Sequence, residues 1–515
     1  MSDWTAGYVA DIGYTFGYYT ELNPQRLRLA FLNAGLAVPS VGTACELGFG
    51  QGMSANIHAA ASVTKWHGTD FNPSQASFAQ ELAAASGSGA QLFDDAFAEF
   101  CARPELPDFD YIGLHGIWSW ISDANRAVIV DFVRRKLKVG GVLYISYNTL
   151  PGWSTFAPMR HLLTQHATTL GADGAGIVNR IEGALGFADQ LLAANPLYAR
   201  VNTSVTERLK TLKGQNRNYL AHEYFNADWH PMYFADMAKW LEPAKLSFAC
   251  STQLLDHVDA INLSGEQMVL LRGIPDPQLR QTVRDFVVNQ QFRKDYWVKG
   301  ARTLSPLEQA EGLRALRVVL CTHRADVPLK IVGTLGENDL SAAVYGPVLD
   351  ALASHKLLSL AELEVATKAS VADSGITFGQ MVQAVVLLAG AGHVQLVQDE
   401  ALINKARKTS DKLNEYLMRK ARSSNDMAYL ASPVTGGGIN VGRFQQLFLM
   451  ARAQGHKQPA DWARFVWQII AAQGQRIVKD GQQLPTEAEN LAELNAQAQA
   501  FADKQLPVLK ALQIA

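Results

Sequence analysis

The sequence predicts an α/β fold: a doubly wound, mostly parallel sheet followed by mainly α-helical modules, one of them winged-helix-like. Two observations carry this reading. Residues 38 to 148 alternate between strand-like and helix-like apolar periods with short joints, and a glycine-rich loop ends the first of these strands. Val41 to Leu47 reads as a buried strand ending in Gly48-Phe49-Gly50-Gln51-Gly52, and Ser54 to Ala61 as a helix. Lys65 to Asp70 is a second strand, stopped by Asn72-Pro73, and Ser74 to Ala85 is Ala-rich and helical. Gln91 to Asp94 and Phe109 to His115 give the third and fourth strands. Asp123 is placed to cap a helix with the apolar face Ile129, Phe132, Val133 and Leu137, and Gly140-Gly141 turns the chain into a fifth strand, Val142 to Tyr147. Such sheets bind ligands beyond the carboxyl ends of their strands, near the topological switch point.

Composition bounds the function. A chain of 515 residues suggests three to four domains at roughly 150 residues each. With 48% hydrophobic and 18% charged residues, global disorder is excluded. Lys plus Arg is 46 against 48 Asp plus Glu, so a main task of gripping nucleic acid is not expected. Cys45, Cys101, Cys250 and Cys321 lie far apart with no CxxC pair, which argues against a disulfide framework or a zinc site. The opening MSDWTAGYVADIGY has no basic and apolar leader pattern, and no apolar run is long enough to span a bilayer. A cytoplasmic protein with no membrane insertion is the expectation.

The glycine loop narrows the ligand. Glu46-Leu47-Gly48-Phe49-Gly50-Gln51-Gly52 is E-x-G-x-G-x-G. A dinucleotide fingerprint needs a third glycine where Met53 stands, and a phosphate loop needs Gly-Lys-Ser/Thr, so both are excluded. The glycines let backbone amides approach a ligand at a helix N-terminus. Asp70 ends the second strand, where a carboxylate can accept from both hydroxyls of a ribose, and Asp95 follows the third, within reach of an adenine amine.

Glu46-x-Gly48-x-Gly50-x-Gly52, Asp70, Asp95 and the Gly140-Gly141 turn resemble a class I S-adenosylmethionine-dependent methyltransferase, a Rossmann-like fold. Leu22-Asn23-Pro24-Gln25-Arg26-Leu27, Phe109-Asp110-Tyr111-Ile112, His115-Gly116-Ile117-Trp118-Ser119-Trp120, Tyr144 to Trp153 and His222-Glu223-Tyr224 resemble more closely the bacterial methyltransferases with an appended regulatory domain. That group includes protein-lysine methyltransferases of outer-membrane proteins. The resemblance implies S-adenosyl-L-methionine as cofactor, with Glu46 near its amino-acid end, Gly48 and Gly50 in the backbone cradle, Asp70 on the ribose and Asp95 on adenine; Gly52 and His115 are further cofactor-binding candidates. Phe49 departs from the small residue or cysteine common at that loop position, and should point away from the cofactor.

Methyl transfer to lysine needs the neutral amine, which at pH 7 costs about 4.6 kcal/mol for an unperturbed side chain. An aromatic, desolvating pocket lowers that cost. The ends of the fourth and fifth strands supply His115, Tyr147 and Asn148 as catalytic candidates, and Trp118, Trp120, Trp153 and Tyr224 as candidates for the substrate pocket. A protein lysine is the favoured acceptor. A small-molecule methyltransferase and a non-catalytic cofactor-binding regulator are the alternatives.

The remainder divides, on this reading, into a helical connector (156–204), a regulatory middle domain (205–325), a winged-helix-like module (326–400) and a mainly helical C-terminal domain (401–515), after a cofactor-binding core at 1–155. Residues 1–155 should hold the cofactor and most of the chemistry, residues 205–515 should select a protein substrate, and a chain ending near residue 200 should still bind cofactor. The segment 221–240 is rich in His and aromatic residues, but H-E-x-x-H fails at Asn226, so no metal is expected. The segment reads as a packed aromatic interface, with closure of His222 and Tyr224 over the mouth of the site as the alternative. Phe378 to Leu388 has no Lys or Arg, which favours protein over DNA contact. Asn404 to Arg422 carries seven basic residues, which read as a solvated face or, alternatively, as a surface for an acidic partner or the acidic 480–503 tail, and Gly436-Gly437-Gly438 reads as a hairpin or loop. A homodimer is a candidate assembly.

Overall fold

Seven strands form one sheet: β1 (Thr43–Leu47), β2 (Lys65–Thr69), β3 (Gln91–Phe93), β4 (Phe109–Leu114), β5 (Leu137–Asn148), β6 (Leu246–Ser251) and β7 (Phe292–Lys299), in the order 3-2-1-4-5-7-6. The first five are parallel, and β7 runs antiparallel to both β5 and β6. The computed structural model describes residues 13–172, 174, 176–370 and 375–515. Most of the opening stretch MSDWTAGYVADIGY, and part of the small-residue loop 171–176, lie outside these.

Strand alternation sorts the side chains onto two covered faces. Ala44, Tyr111, Val142 and Tyr144 face one core with α1 (Pro24–Asn33), α2 (Met53–Ala61) and α3 (Pro73–Ser86). Cys45, Ile112, Leu143 and Tyr147 face the other with α4 (Phe97–Ala102) and α5 (Asp123–Lys136). The caps explain where the helices begin. Asn72 accepts from the Ser74 and Gln75 amides with Pro73 at the first turn of α3. Ser122, rather than Asp123, caps α5 by accepting from the Asn125 amide. Gly140-Gly141 is not a turn before the fifth strand but lies inside β5, whose pairing with β4 shifts register between Phe109 and Tyr111.

The sheet runs across the expected boundary near residue 155. β7 pairs with β5 from Val142↔Val298 to Asn148↔Phe292, so the segment read as a middle domain closes what would otherwise be an exposed edge. The later modules also share cores with it. Val348, Leu349 and Val385 join the cluster on the α1 face, and Met53, Ile57 and Leu82 are buried with Leu413, Leu447 and Trp462. Residues 1–155 are therefore not a closed core.

Downstream, helices Ala342–Leu352, Leu360–Ser370 and Phe378–Gly390 accompany a three-stranded sheet in which Arg317–Leu320 lies between Leu358–Ser359 and Val394–Leu396. The basic helix Glu400–Lys420 packs on α2 and α3: Thr409 and Ser410 donate to the Ala60 carbonyl at 2.6 and 3.1 Å, and Lys420 pairs with Glu81 at 3.3 Å. Its acidic partner is thus in α3, whereas Glu493 of the tail pairs with Lys479. Tyr429–Ser432 and Gly437–Asn440 form the expected hairpin. Among the described residues no helix is long and apolar enough to cross a membrane.

Candidate active site

The carboxyl ends of β1, β2, β3 and β4 open into one cavity at the switch between β1 and β4. The loop after β1 builds its floor. The Gly48 amide donates to the Thr69 carbonyl at 2.8 Å, and the Gly50 amide donates to Asp70 Oδ2 at 2.8 Å. Gly48 has φ of +73°, and a Cβ there would lie 2.5 Å from Ile117 Cδ1, so this approach requires glycine. Asp70 Oδ1 accepts from the Asn72 amide at 3.1 Å, so one carboxylate joins the loop after β1 to the cap of α3.

Glu46, Gly48, Gly50, Asp70, Asp95, His115 and Trp120 all line this cavity. Glu46 is buried, and its Oε2 has no hydrogen-bond partner among the described residues. Burial, with the charge of Asp70 second, pushes its carboxyl up to about 8. Burial also lifts Asp70 to about 6, against the pull of the Asn72 and Gly50 amides. Asp95 is held by Arg103, whose Nη2 lies 3.2 Å from Oδ1 and whose guanidinium stacks on Phe93. Phe49 borders the cavity, but its ring is buried in the core against Gly68.

His115 stacks on Tyr19 with ring centroids 3.7 Å apart, and its Nδ1 lies 2.6 Å from the Tyr144 hydroxyl. Burial drives its pKa down to about 3, so near neutral pH it is an uncharged imidazole and a poor proton acceptor.

Six expected site residues lie elsewhere, each for a packing reason. Tyr147 points to the α5 face, where its hydroxyl donates to Asp295 Oδ2 at 3.0 Å beside the buried Arg293. Asn148 does not line the cavity; its backbone takes the Ser119 hydroxyl and the Met232 amide as partners. Trp118 is fully buried, with Nε1 on Met232 Sδ at 3.4 Å. Trp153 and Tyr224 belong to a separate helical core, where Arg208 covers Trp153 at 3.9 Å. Gly52 also lies off the cavity: its φ is +69°, and a Cβ would meet Ala79 Cβ at 2.4 Å, so it lets α2 pack on α3.

Motif reading missed much of the opposite wall. Tyr14 and Tyr19 come from the stretch before α1, and Glu223 and Asp228 come from the helix Arg217–Tyr224 and the loop after it. The Tyr14 hydroxyl donates to Glu223 Oε1 at 3.4 Å, and the Tyr14 ring meets His222 edge-on at 5.0 Å. His222 and Glu223 line the cavity, and Tyr224 does not. The described lining holds five carboxylates (Glu46, Asp70, Asp95, Glu223 and Asp228) and no Lys or Arg. No group of three His, Cys, Asp or Glu able to hold a metal occurs among the described residues.

Residues 216–299, the stretch from the Glu223 helix through β7, match the predicted methyltransferase regulatory domain. Protein sll1526 of Synechocystis is 41% identical to this chain, over 99% of each. Protein RP789 of Rickettsia prowazekii is 26% identical, over 55% of this chain and 51% of its own. Among solved structures, PKMT2 from Rickettsia typhi in complex with AdoHcy superposes with a TM-score of 0.70 at 16% identity, covering 97% of this chain and 99% of that one. Strand order, glycine loop and cavity define a class I methyltransferase. The chain belongs to one family with protein sll1526, shares the class I methyltransferase fold and carries the predicted methyltransferase regulatory domain. The matched segment is no separate appendage here, since it supplies β6 and β7 of the sheet and part of the cavity wall.

Proposed function

We propose that this enzyme methylates lysine side chains of a protein, with S-adenosylmethionine as methyl donor. The observation that carries the reading is the charge of the cavity, whose described lining has five carboxylates, aromatic walls and no basic residue. Such a site favours a cation over an anion as its guest. The whole-chain likeness to a Rickettsia protein named PKMT2, a protein lysine methyltransferase in complex with AdoHcy, supports the same acceptor.

The residues present fit the cofactor. Gly48 and Gly50 leave backbone amides open to close approach, Asp70 offers carboxylate oxygens for ribose hydroxyls, and Asp95 lies at the end of β3 where adenine is read. Glu46, with its unpartnered Oε2, is placed for a cationic amine such as the donor's amino group. The bound donor supplies an electrophilic methyl group. This chain's part is to orient the amine, exclude water with Tyr14, Tyr19 and Trp120, and keep the amine uncharged by desolvation.

The test is transfer of label from radiolabelled S-adenosylmethionine into fractionated cell protein, followed by complete hydrolysis. Label co-migrating with methyllysine supports the reading. Label confined to small molecules contradicts it.

A further inference from the structure

We propose that Glu223, on the helix Arg217–Tyr224 of the regulatory segment, grips the ammonium of the acceptor and takes up its proton. This rests on the lysine reading above. It makes the regulatory segment a supplier of active-site chemistry as well as of sheet structure.

Three of the other carboxylates of the cavity are engaged by protein partners. Asp70 holds the Gly50 and Asn72 amides, Asp95 is taken by Arg103, and Asp228 has His230 Nε2 at 3.3 Å. Glu46, one residue before the end of β1 and beside Asp70, is the carboxyl placed above for the donor's amino group. Glu223 stands on the wall contributed by a different segment. Among the described residues its one side-chain hydrogen bond is the long 3.4 Å contact from Tyr14, so it keeps acceptor capacity toward the cavity.

The groups facing Glu223 are Tyr14 and Tyr19 from the N-terminal stretch and Tyr219 and Tyr224 from its own helix, with His222 and Asp228 nearby on the wall. Burial raises its carboxyl to about 7, while the Tyr14 hydroxyl draws it down. A group titrating there is matched to proton transfer near neutrality, unlike His115 at about 3. The exchange balances within the pair: R–NH3+ and the carboxylate become R–NH2 and the carboxylic acid. The same burial that favours the acid disfavours the ammonium, so both partners are moved toward neutral forms. When the product leaves, Glu223 returns its proton to water at the open mouth.

The probe is n-butylammonium, the lysine side chain without its backbone, titrated calorimetrically into the full chain with AdoHcy present at pH 6 and pH 8. Wild type should bind about tenfold more tightly at pH 8, as a carboxyl of pKa about 7 ionises. Glu223→Gln should abolish that dependence, weaken binding at pH 8 and lower kcat/KM for protein lysine roughly 100-fold. Its AdoHcy affinity, staying within about threefold of wild type, shows that the cavity has folded. Tyr14→Phe, which leaves Glu223 in place, should move the midpoint of the pH dependence upward. Binding that does not change with pH in wild type, no binding at all, or an unchanged midpoint in Tyr14→Phe would overturn the role of Glu223 even if lysine is methylated. A protein that binds butylammonium as described but puts no label on lysine contradicts only the acceptor reading.

Discussion

The Tyr147 hydroxyl donates to Asp295 Oδ2 at 3.0 Å, joining β5 to β7 across 148 residues of chain. Arg293 completes the cluster, with Nε 2.8 Å from Asp295 Oδ2 and Nη1 2.6 Å from Asp285 Oδ1, all of it buried. This network locks the regulatory segment to the sheet.

Tyr147→Phe therefore tests structure rather than catalysis. It removes one buried hydrogen bond and leaves Asp295 with Arg293, so stability should fall by about 1–2 kcal/mol. Methyl transfer at saturating substrates should stay within about twofold of wild type. Denaturant unfolding and initial rates check both. A hundredfold loss of turnover in a stable variant would return Tyr147 to the reacting centre.

What was legible follows from the range of the signals. β1 to β5, the glycine loop, Asp70 and Asp95 are written in local period and spacing, and each lies within a strand–helix repeat. β6 and β7 are antiparallel strands whose partner lies far back in the chain, and nothing local announces such a pairing. The end of β5 could be placed, but the face of each residue turns on strand alternation: Tyr144 reaches His115, whereas Tyr147, three residues on, reaches Asp295. On the helix Arg217–Tyr224 a single step separates Glu223 in the cavity from Tyr224 in the helical core. Tyr14 and Tyr19 carry no motif, and only the fold brings them to the mouth.

The cavity carboxylates should write themselves into the pH dependence of stability. Glu46 is raised to about 8 by burial and then by Asp70, so the folded chain holds its proton more tightly than the unfolded chain does. The stability it contributes is full below the ordinary carboxyl range and is lost as pH rises through about 8. Asp70, at about 6, acts in the same direction over a lower window. The cofactor-free chain should melt progressively lower from pH 5 to 8.5, and Glu46→Gln should flatten that fall. Thermal melts of the two proteins with parallel slopes would contradict the burial of an unpartnered Glu46.

A chain ending at residue 200 lacks β6 and β7 and exposes the edge of β5, along with the apolar surfaces that meet the later modules. It should be insoluble, or soluble without AdoHcy binding. Restoring residues to 300 closes the sheet and should improve folding, but leaves the α2 face bare. A soluble 1–200 chain with the AdoHcy affinity of the full protein would show that the sheet closes without the regulatory segment.

The central claim is that the cavity at the β1–β4 switch is the cofactor site, with Asp70 tying its loop together and facing the ribose. Isothermal titration of AdoHcy into the full chain and into Asp70→Ala addresses it directly. Wild type should bind one equivalent, unaffected by NAD. Asp70→Ala should lose roughly 1.5–3 kcal/mol, about 10- to 150-fold in affinity, from the removal of charge-assisted hydrogen bonds. No binding by wild type, or equal affinity in the two proteins, would contradict the assignment.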